Sequence, residues 1–462
     1  MNVPMRRFVV LGLAALAVPA AVSAQPGQPA PTRQPAVPQP APTPLLPANS
    51  QPAPAAEAAA TPVVQPLADA DQAPLKWTLA DGEALLELIQ GIGSEGLIPY
   101  DYQMQGLAAA IADGEGASLD EQATRSFSWL IEDLRDGRTP MEARKQWFVV
   151  DPDPDRLPTR QIMAEALESH DIAGVVGKLA PTVPDYAELK EALAATPKAN
   201  KARIALIRAN MDRWRWLARD LGSQYLLTNV PEYQLRLTVN NKIIRSYKTI
   251  VGKPGRTATP QLAEVVEGVI FNPTWTVPQS IVKGEGLGAR LLANPASAKA
   301  QGYAVTKGAN GFVNVVQQPG KNNSLGLMKL DMPNEHAIFL HDTPSRHLFD
   351  SDRRALSHGC IRTERAQELA ITMAILGKGA AKDDAVAISV SGKYTKVPLQ
   401  KTFPVYITYF TMGRDINGQL TTFNDIYDRD APVLASFDQP RQANRARETD
   451  EEVVEIVDDL QI

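Results

Sequence analysis

The chain has 462 residues, a net charge of −5, 44% hydrophobic and 21% charged residues, and a single cysteine. That length exceeds what one core can hold and predicts two or three domains. The mild acidity gives no electrostatic basis for a nucleic-acid partner, and a lone thiol excludes an intramolecular disulfide and any multi-cysteine metal cluster.

"MNVPMRR" is a short basic head, and "FVVLGLAALAVPAAV" is an apolar run of signal-peptide length. The small residues of "VSA" set a cleavage point after Ala24, so residues 1–24 read as a signal peptide and predict export. An uncleaved inner-membrane anchor is the alternative, although the run is short for a span and contains Pro19. No cysteine follows to carry a lipid. Residues 25–74, rich in Pro, Ala and Gln, cannot bury enough apolar surface to offset chain entropy and read as a disordered linker.

From residue 75 to 217 the periodicity is helical. Leu85, Leu88, Ile89 and Ile92 share one face, with Gly93 and Gly96 as stops. A second helix is expected from a cap at Ser118 to Gly137, and "DYAELKEALAA" and "KARIALIRANMDRWRWLARDLG" supply two more. Trp214, Trp216 and Leu217, clustered at the end of the last, are expected to pack in a core or domain interface.

At Gly222 the period changes to alternation, in "SQYLLTNVPEYQLRLTVNNKIIRSYKTIVGKP", "AEVVEGVIFNPTWTVP", "GFVNVVQQ", "LGLMKLDMP" and "HAIFLHD". Residues 281–310 interrupt the strands with an insertion, part helix and part loop, placed where lids occur. One helix is predicted over "TERAQELAITMAILGKG", capped by Thr363 and stopped at Gly377 or Gly379. "AVAISV" and "PVYITYFTM" read as further strands, and residues 431–462 as a charged tail.

The stretch "LHDTPSRHLFDSDRRALSHGCIRTERAQ" holds the only cysteine and three of the five histidines. A cysteine nucleophile needs a populated thiolate, a base and donors for the developing oxyanion. Cys360, just ahead of the predicted helix, would feel the positive end of its dipole. The N–H groups of Gly359 and Cys360 could face an oxyanion. His341, ending a strand, could reach the thiol, and His358 could add polarity. A structural cysteine among solvated histidines fits the same letters. Competing motifs are weaker. "SIVK" at residue 280 lacks the other elements of a serine–lysine acylase. His336, His341, His347 and Asp342 match no metal spacing. "HDT" lacks the glycine of an aspartic protease, and "VGKPG" is a turn rather than a phosphate loop.

"SHGCIR" with the upstream "LHDT" resembles the active-site signature of the L,D-transpeptidases, the YkuD-domain family. "RWRWLARDLG", "VGKPGRTATP", "FNPTWTVPQSIV", "NSLGLMKLDMPNEHAIFLHDTP" and "ITYFTMGRDINGQLTTFNDIYDRD" extend the likeness to its long periplasmic, YcbB-like branch. The resemblance implies an α+β protein. A helical scaffold domain, residues 75–217, would precede a mostly-β catalytic domain, residues 218–430, with the 281–310 insertion as its cap. It also implies a periplasmic enzyme without metal or cofactor. Donor and acceptor tetrapeptide stems of peptidoglycan would be its partners, with other cell-wall synthases as candidates. Cys360 would attack the third stem residue and expel D-Ala, and a second stem's amine would then resolve the thioester. His341 would be the base, oriented by the backbone carbonyl of Asp342. His358, Gly359 and Cys360 would line the oxyanion site, with Ser357 in support. Arg362, Thr343 and Trp275 would stand on the substrate side, Trp275 by packing around the pocket. An L,D-carboxypeptidase, a hydrolase that detaches wall-bound protein, and a non-catalytic wall-binding scaffold are the alternatives.

Overall fold

The structure, a computed structural model, describes residues 73–149, 153–284 and 286–442. The expected signal peptide, nearly all of the linker and the end of the charged tail lie outside these residues.

The first part is helical: α1 (Leu79–Gly91), α2 (Met104–Asp113), α3 (Ala117–Asp136), α4 (Asp153–Arg156), α5 (Thr159–Ser169), α6 (Ile172–Gly177), α7 (Pro184–Ala195) and α8 (Lys201–Trp214). Leu85 and Ile89 are buried as their spacing predicts, in a core with Leu107, Phe127, Leu130, Ile131 and Ala166. Helix α3 begins after Gly116 rather than at a Ser118 cap, and ends at Gly137 as expected. At Gly137 φ is +86°, and a Cβ would lie 2.6 Å from the Trp216 ring, so glycine is required twice over.

The chain then forms β1 (Gln224–Asn229), β2 (Gln234–Val239), β3 (Lys242–Gly252) and β4 (Leu262–Phe271). A cap follows: β5 (Trp275–Thr276), a π turn at Ser280–Gly284, α9 (Leu287–Ala293), α10 (Pro295–Ala300), β6 (Tyr303–Lys307) and β7 (Val313–Gln317). The main sheet resumes with β8 (Met328–Asp331), β9 (Leu340–His341), β10 (Ala355–Ser357) and β11 (Ile361–Thr363). After them come α11 (Ala366–Leu376), α12 (Lys382–Val390), β12 (Thr395–Thr408), β13 (Met412–Arg414), β14 (Leu420–Thr422) and α13 (Asp430–Phe437).

Nine strands form one mixed sheet in the order β10-β3-β11-β9-β8-β4-β12-β1-β2, and β2 pairs back to β3, which curls the sheet onto itself. Helix α11 fills one face with Ala366, Leu369, Ala370 and Met373, against Leu330, Leu340, Ile361 and Val405. This α+β arrangement is the fold class expected from the sequence.

Four boundaries differ from expectation. The cap is wider than 281–310, because its own core runs from Trp275 to Leu325 and includes Ile281 and Val282 of the "SIVK" turn. "AVAISV" is helix α12, not a strand. Asp383 and Asp384 occupy its first turn, where they complement the helix dipole, and Ala385 is buried against the core. Helices α7 and α8 share a core with Leu227, Tyr406 and Phe410, so residue 217 does not separate two independent cores. Trp214, stacked on Phe410 at 4.2 Å, and Trp216, edge-on to Trp147 at 5.4 Å, pack in that core as expected. Finally, α13 buries Val433 in the same core, and Arg441 pairs with Glu132 at 2.7 Å and Asp133 at 3.0 Å. Packed structure therefore runs past residue 430.

Candidate functional site

Strands β9 and β11 run parallel, with Leu340 beside Ile361 and His341 beside Arg362. Leu340 and Ile361 both enter the main core, so the alternation of a strand turns His341 and Arg362 to the opposite face. Cys360, one residue before Ile361, continues that alternation onto the His341 face. Its Sγ lies 3.6 Å from the carbonyl oxygen of Ala337, and the residue is 6% exposed. Two expected partners, one ending β9 and one leading into β11, thus share one side of the sheet.

His341 is fully buried, and its Nδ1 lies 2.5 Å from the carbonyl oxygen of Asp342. A carbonyl only accepts, so Nδ1 carries the hydrogen and the neutral ring keeps its lone pair on Nε2. This tautomer makes the imidazole a base and needs no carboxylate. The Asp342 carboxylate has another task. Its Oδ2 accepts from Leu327 N at 2.8 Å and from Arg346 at 3.1 Å, which fixes the backbone that presents the carbonyl.

Cys360 ends a tight turn. Gly359 has φ +118°, a conformation open chiefly to glycine. Buried Ser357 donates its hydroxyl to Cys360 O at 2.6 Å and accepts from Gly359 N–H at 3.1 Å. Ser357 thus holds the turn, and the N–H of Gly359, expected at the oxyanion site, has a partner within the turn. That N–H is directed into the turn by Ser357 rather than toward a substrate oxygen. Half-buried His358 is the bend residue between them.

The helix-dipole expectation is revised as well. Helix α11 begins at Ala366 after Arg365, and Thr363 is a buried strand residue rather than the cap. A three-residue strand and a turn separate Cys360 from the helix, and the dipole's influence fades within one turn. Thr343, 2% exposed, accepts from Ser345 N at 3.2 Å and shapes its own loop. Trp275, 6% exposed, belongs to the cap's core. His347 is exposed on a 3-10 turn, apart from the sheet strands that carry the site.

Several residues at the site were not singled out from the sequence. Thr259 Oγ1 donates to Gly359 O at 2.8 Å and accepts from Gly252 N at 2.8 Å. Tyr427, pushed up to about 12 by burial and so a neutral phenol, donates to Gly252 O at 2.5 Å and accepts from Thr259 N at 3.3 Å. Together they brace the Gly359–Cys360 turn from behind. Lys329 lies directly opposite His341 across the β8–β9 pair, with Nζ 3.4 Å from the centre of the Phe339 ring.

Comparison with known proteins finds two matching domain families. Residues 223–406 match the L,D-transpeptidase catalytic domain, YkuD, and residues 70–193 match the Scaffold domain. A Haemophilus influenzae protein named "Putative L,D-transpeptidase" is 29% identical over 223 residues, which cover 45% of this chain and 45% of that protein. The chain thus aligns with less than half the length of this curated relative. Among solved structures, an L,D-transpeptidase from Mycobacterium smegmatis is 13% identical over 40% of this chain and 58% of its own, with a TM-score of 0.20. A cysteine-to-serine mutant of the Enterococcus faecium L,D-transpeptidase is 14% identical over 40% and 50%, with a TM-score of 0.19. Overlaps so small carry no weight for the site. The first matched region takes in β1 to most of β12 and the second takes in α1 to most of α7, so the chain joins a segment like the Scaffold domain to one like the YkuD L,D-transpeptidase catalytic domain.

Proposed function

We propose that this protein cross-links peptidoglycan through a thioester on Cys360. His341 Nε2 takes the thiol proton, and Sγ attacks the carbonyl of the third residue of a donor tetrapeptide stem. The C–S bond forms, the amide to the terminal D-Ala breaks, and the proton passes to the departing amine. The side-chain amine of a third residue on an acceptor stem then attacks the thioester. A new amide joins the two stems and the thiol returns. The observation that carries this reading is the tautomer of His341. The Asp342 carbonyl holds hydrogen on Nδ1, leaving Nε2 as acceptor on the sheet face that Cys360 shares. Arg362 stands beside His341 in the β9–β11 register, and in this reading it would pair with a substrate carboxylate. The basic head and apolar run of the N-terminus support export to the periplasm, where such stems occur.

The test is product analysis. The protein is incubated with disaccharide-tetrapeptides, and released D-Ala and dimer are followed by mass spectrometry. Wild type is expected to yield both and Cys360→Ala neither. Undiminished products from Cys360→Ala would remove the mechanism.

A further inference from the structure

With the helix dipole out of reach, charge for the thiol has to come from the site face, and Lys329 is a cation on that face. Lys329 and His341 are direct partners in the antiparallel β8–β9 pair, so their side chains share a face. Phe339, two residues before His341, lies on that face too, and the Lys329 ammonium rests on its ring. Phe339 also reaches the Cys360 strand, since its carbonyl accepts from Ile361 N at 2.9 Å. Phe339 thus touches Lys329 through its ring and the segment leading from Cys360 through its backbone.

We propose that Lys329 is a positioning residue that balances the charge of the Cys360 thiolate, held at its station by the face of Phe339. This rests on the reading of Cys360 as the nucleophile. Burial holds Lys329 below the ordinary lysine range, while the charges of Cys360 and Asp331 draw it back up. Such coupling is reciprocal: a thiolate that favours the ammonium is favoured by it. Of the other charged groups near this face, Asp331 is paired with Lys396 at 2.6 Å. His341 stands opposite Lys329, Arg362 lies beside His341, and His358 lies two residues before Cys360. Lys329 couples electrostatically to Cys360 from β8, the strand next to His341's own.

The single cysteine makes the test direct, because alkylation of the folded full-length chain reports one site. Iodoacetamide modification, read by intact mass across about pH 5 to 10, gives the thiolate titration. Lys329→Met is expected to move its midpoint up by about one unit, roughly a tenfold slower alkylation below the wild-type midpoint. Lys329→Arg, which keeps the cation and its stacking, is expected to stay within a few tenths of wild type. A merely structural lysine would not separate these two. Should Lys329→Met melt early, Lys329→Gln decides by the same shift. A neutral variant that superimposes on wild type overturns the proposal, as does Arg moving as far as Met, or a wild-type thiol titrating at its ordinary value. Alkylation needs no stem peptide, so failure here leaves D-Ala release by Cys360 to its own test.

Discussion

Ser357 controls the turn at Cys360 from within. Its hydroxyl donates to the Cys360 carbonyl and accepts from the Gly359 N–H, and no solvent reaches it. Ser357→Ala removes both bonds and leaves a buried carbonyl to be satisfied, which costs about 1–3 kcal/mol. A melting temperature lower by several degrees is expected, together with a slower acylation rate as the turn loosens. A variant with unchanged stability and unchanged acylation would show that Ser357 does not hold the turn. The residues most visible in the sequence were those with distinctive chemistry, Cys360 and His341 above all. The residues alone left them as candidates, and the expected roles of nucleophile and base came from the likeness of "SHGCIR" and "LHDT" to a family signature. Thr259 and Tyr427 were not legible, because ordinary residue types become relevant only where the fold returns them to Cys360. Thr259 reaches Gly359 across 100 positions of sequence. Lys329 was hidden for a similar reason. Within "LGLMKLDMP" it is one polar position of an alternating strand, and its partner is set by the β8–β9 register.

At the scale of elements, the root of the cap is built against Asp342. Gly326 follows the cap and precedes β8, with φ +60°. A Cβ there would lie 2.4 Å from Cγ of Asp342, the residue whose carbonyl orients His341. Gly326→Ala therefore combines left-handed strain with a clash that must displace Asp342, and about 2 kcal/mol or more of stability is expected to go. Activity should fall further than stability accounts for, since the His341 tautomer depends on Asp342. Denaturant melts and D-Ala release measured on the same preparation separate the two effects, and normal release at normal stability would disprove the coupling. The cap was legible as an interruption of the strand pattern, but its limits were not. Trp275 and Leu325 look like residues of the main sheet until the core they share is seen. Helix α12 was misread because Val386, Ile388 and Val390 have strand character. Its burial repeats from Ala385 to Ser389, the four-residue spacing of a helix packed on α11.

For the molecule as a whole, Asp212 is the joint between the helical part and the sheet. Fully buried at the end of α8, it accepts from Arg138 N at 2.7 Å, Thr139 N at 3.0 Å and Trp216 Nε1 at 3.0 Å, and it pairs with Arg215 at 3.5 Å. Trp216 packs on Trp147, Phe148 N donates to Gln261 O at 2.9 Å ahead of β4, and the Phe148 ring lies 4.1 Å from that of His336. Contacts thus run from the helices to the loop whose Ala337 carbonyl meets Cys360. Burial alone would raise the Asp212 carboxyl. The Arg215 and Arg144 guanidinium groups and the bonds from Thr139 and Arg138 outweigh it, and the carboxyl is held below its ordinary range. A carboxyl lowered on folding stabilises the protein above the unfolded value, near 3.9, and that stability is lost as pH falls through the folded value. Asp212→Asn keeps the shape but takes one buried counter-charge from Arg215 and Arg144, and about 3–5 kcal/mol is expected to be lost at neutral pH. Because the asparagine does not titrate, the gap between wild type and variant should close as the pH is lowered below about 4. Melting curves of both proteins from neutral to acid pH measure this convergence. A gap that stays constant with pH would mean that Asp212 acts through its hydrogen bonds alone and not through its charge.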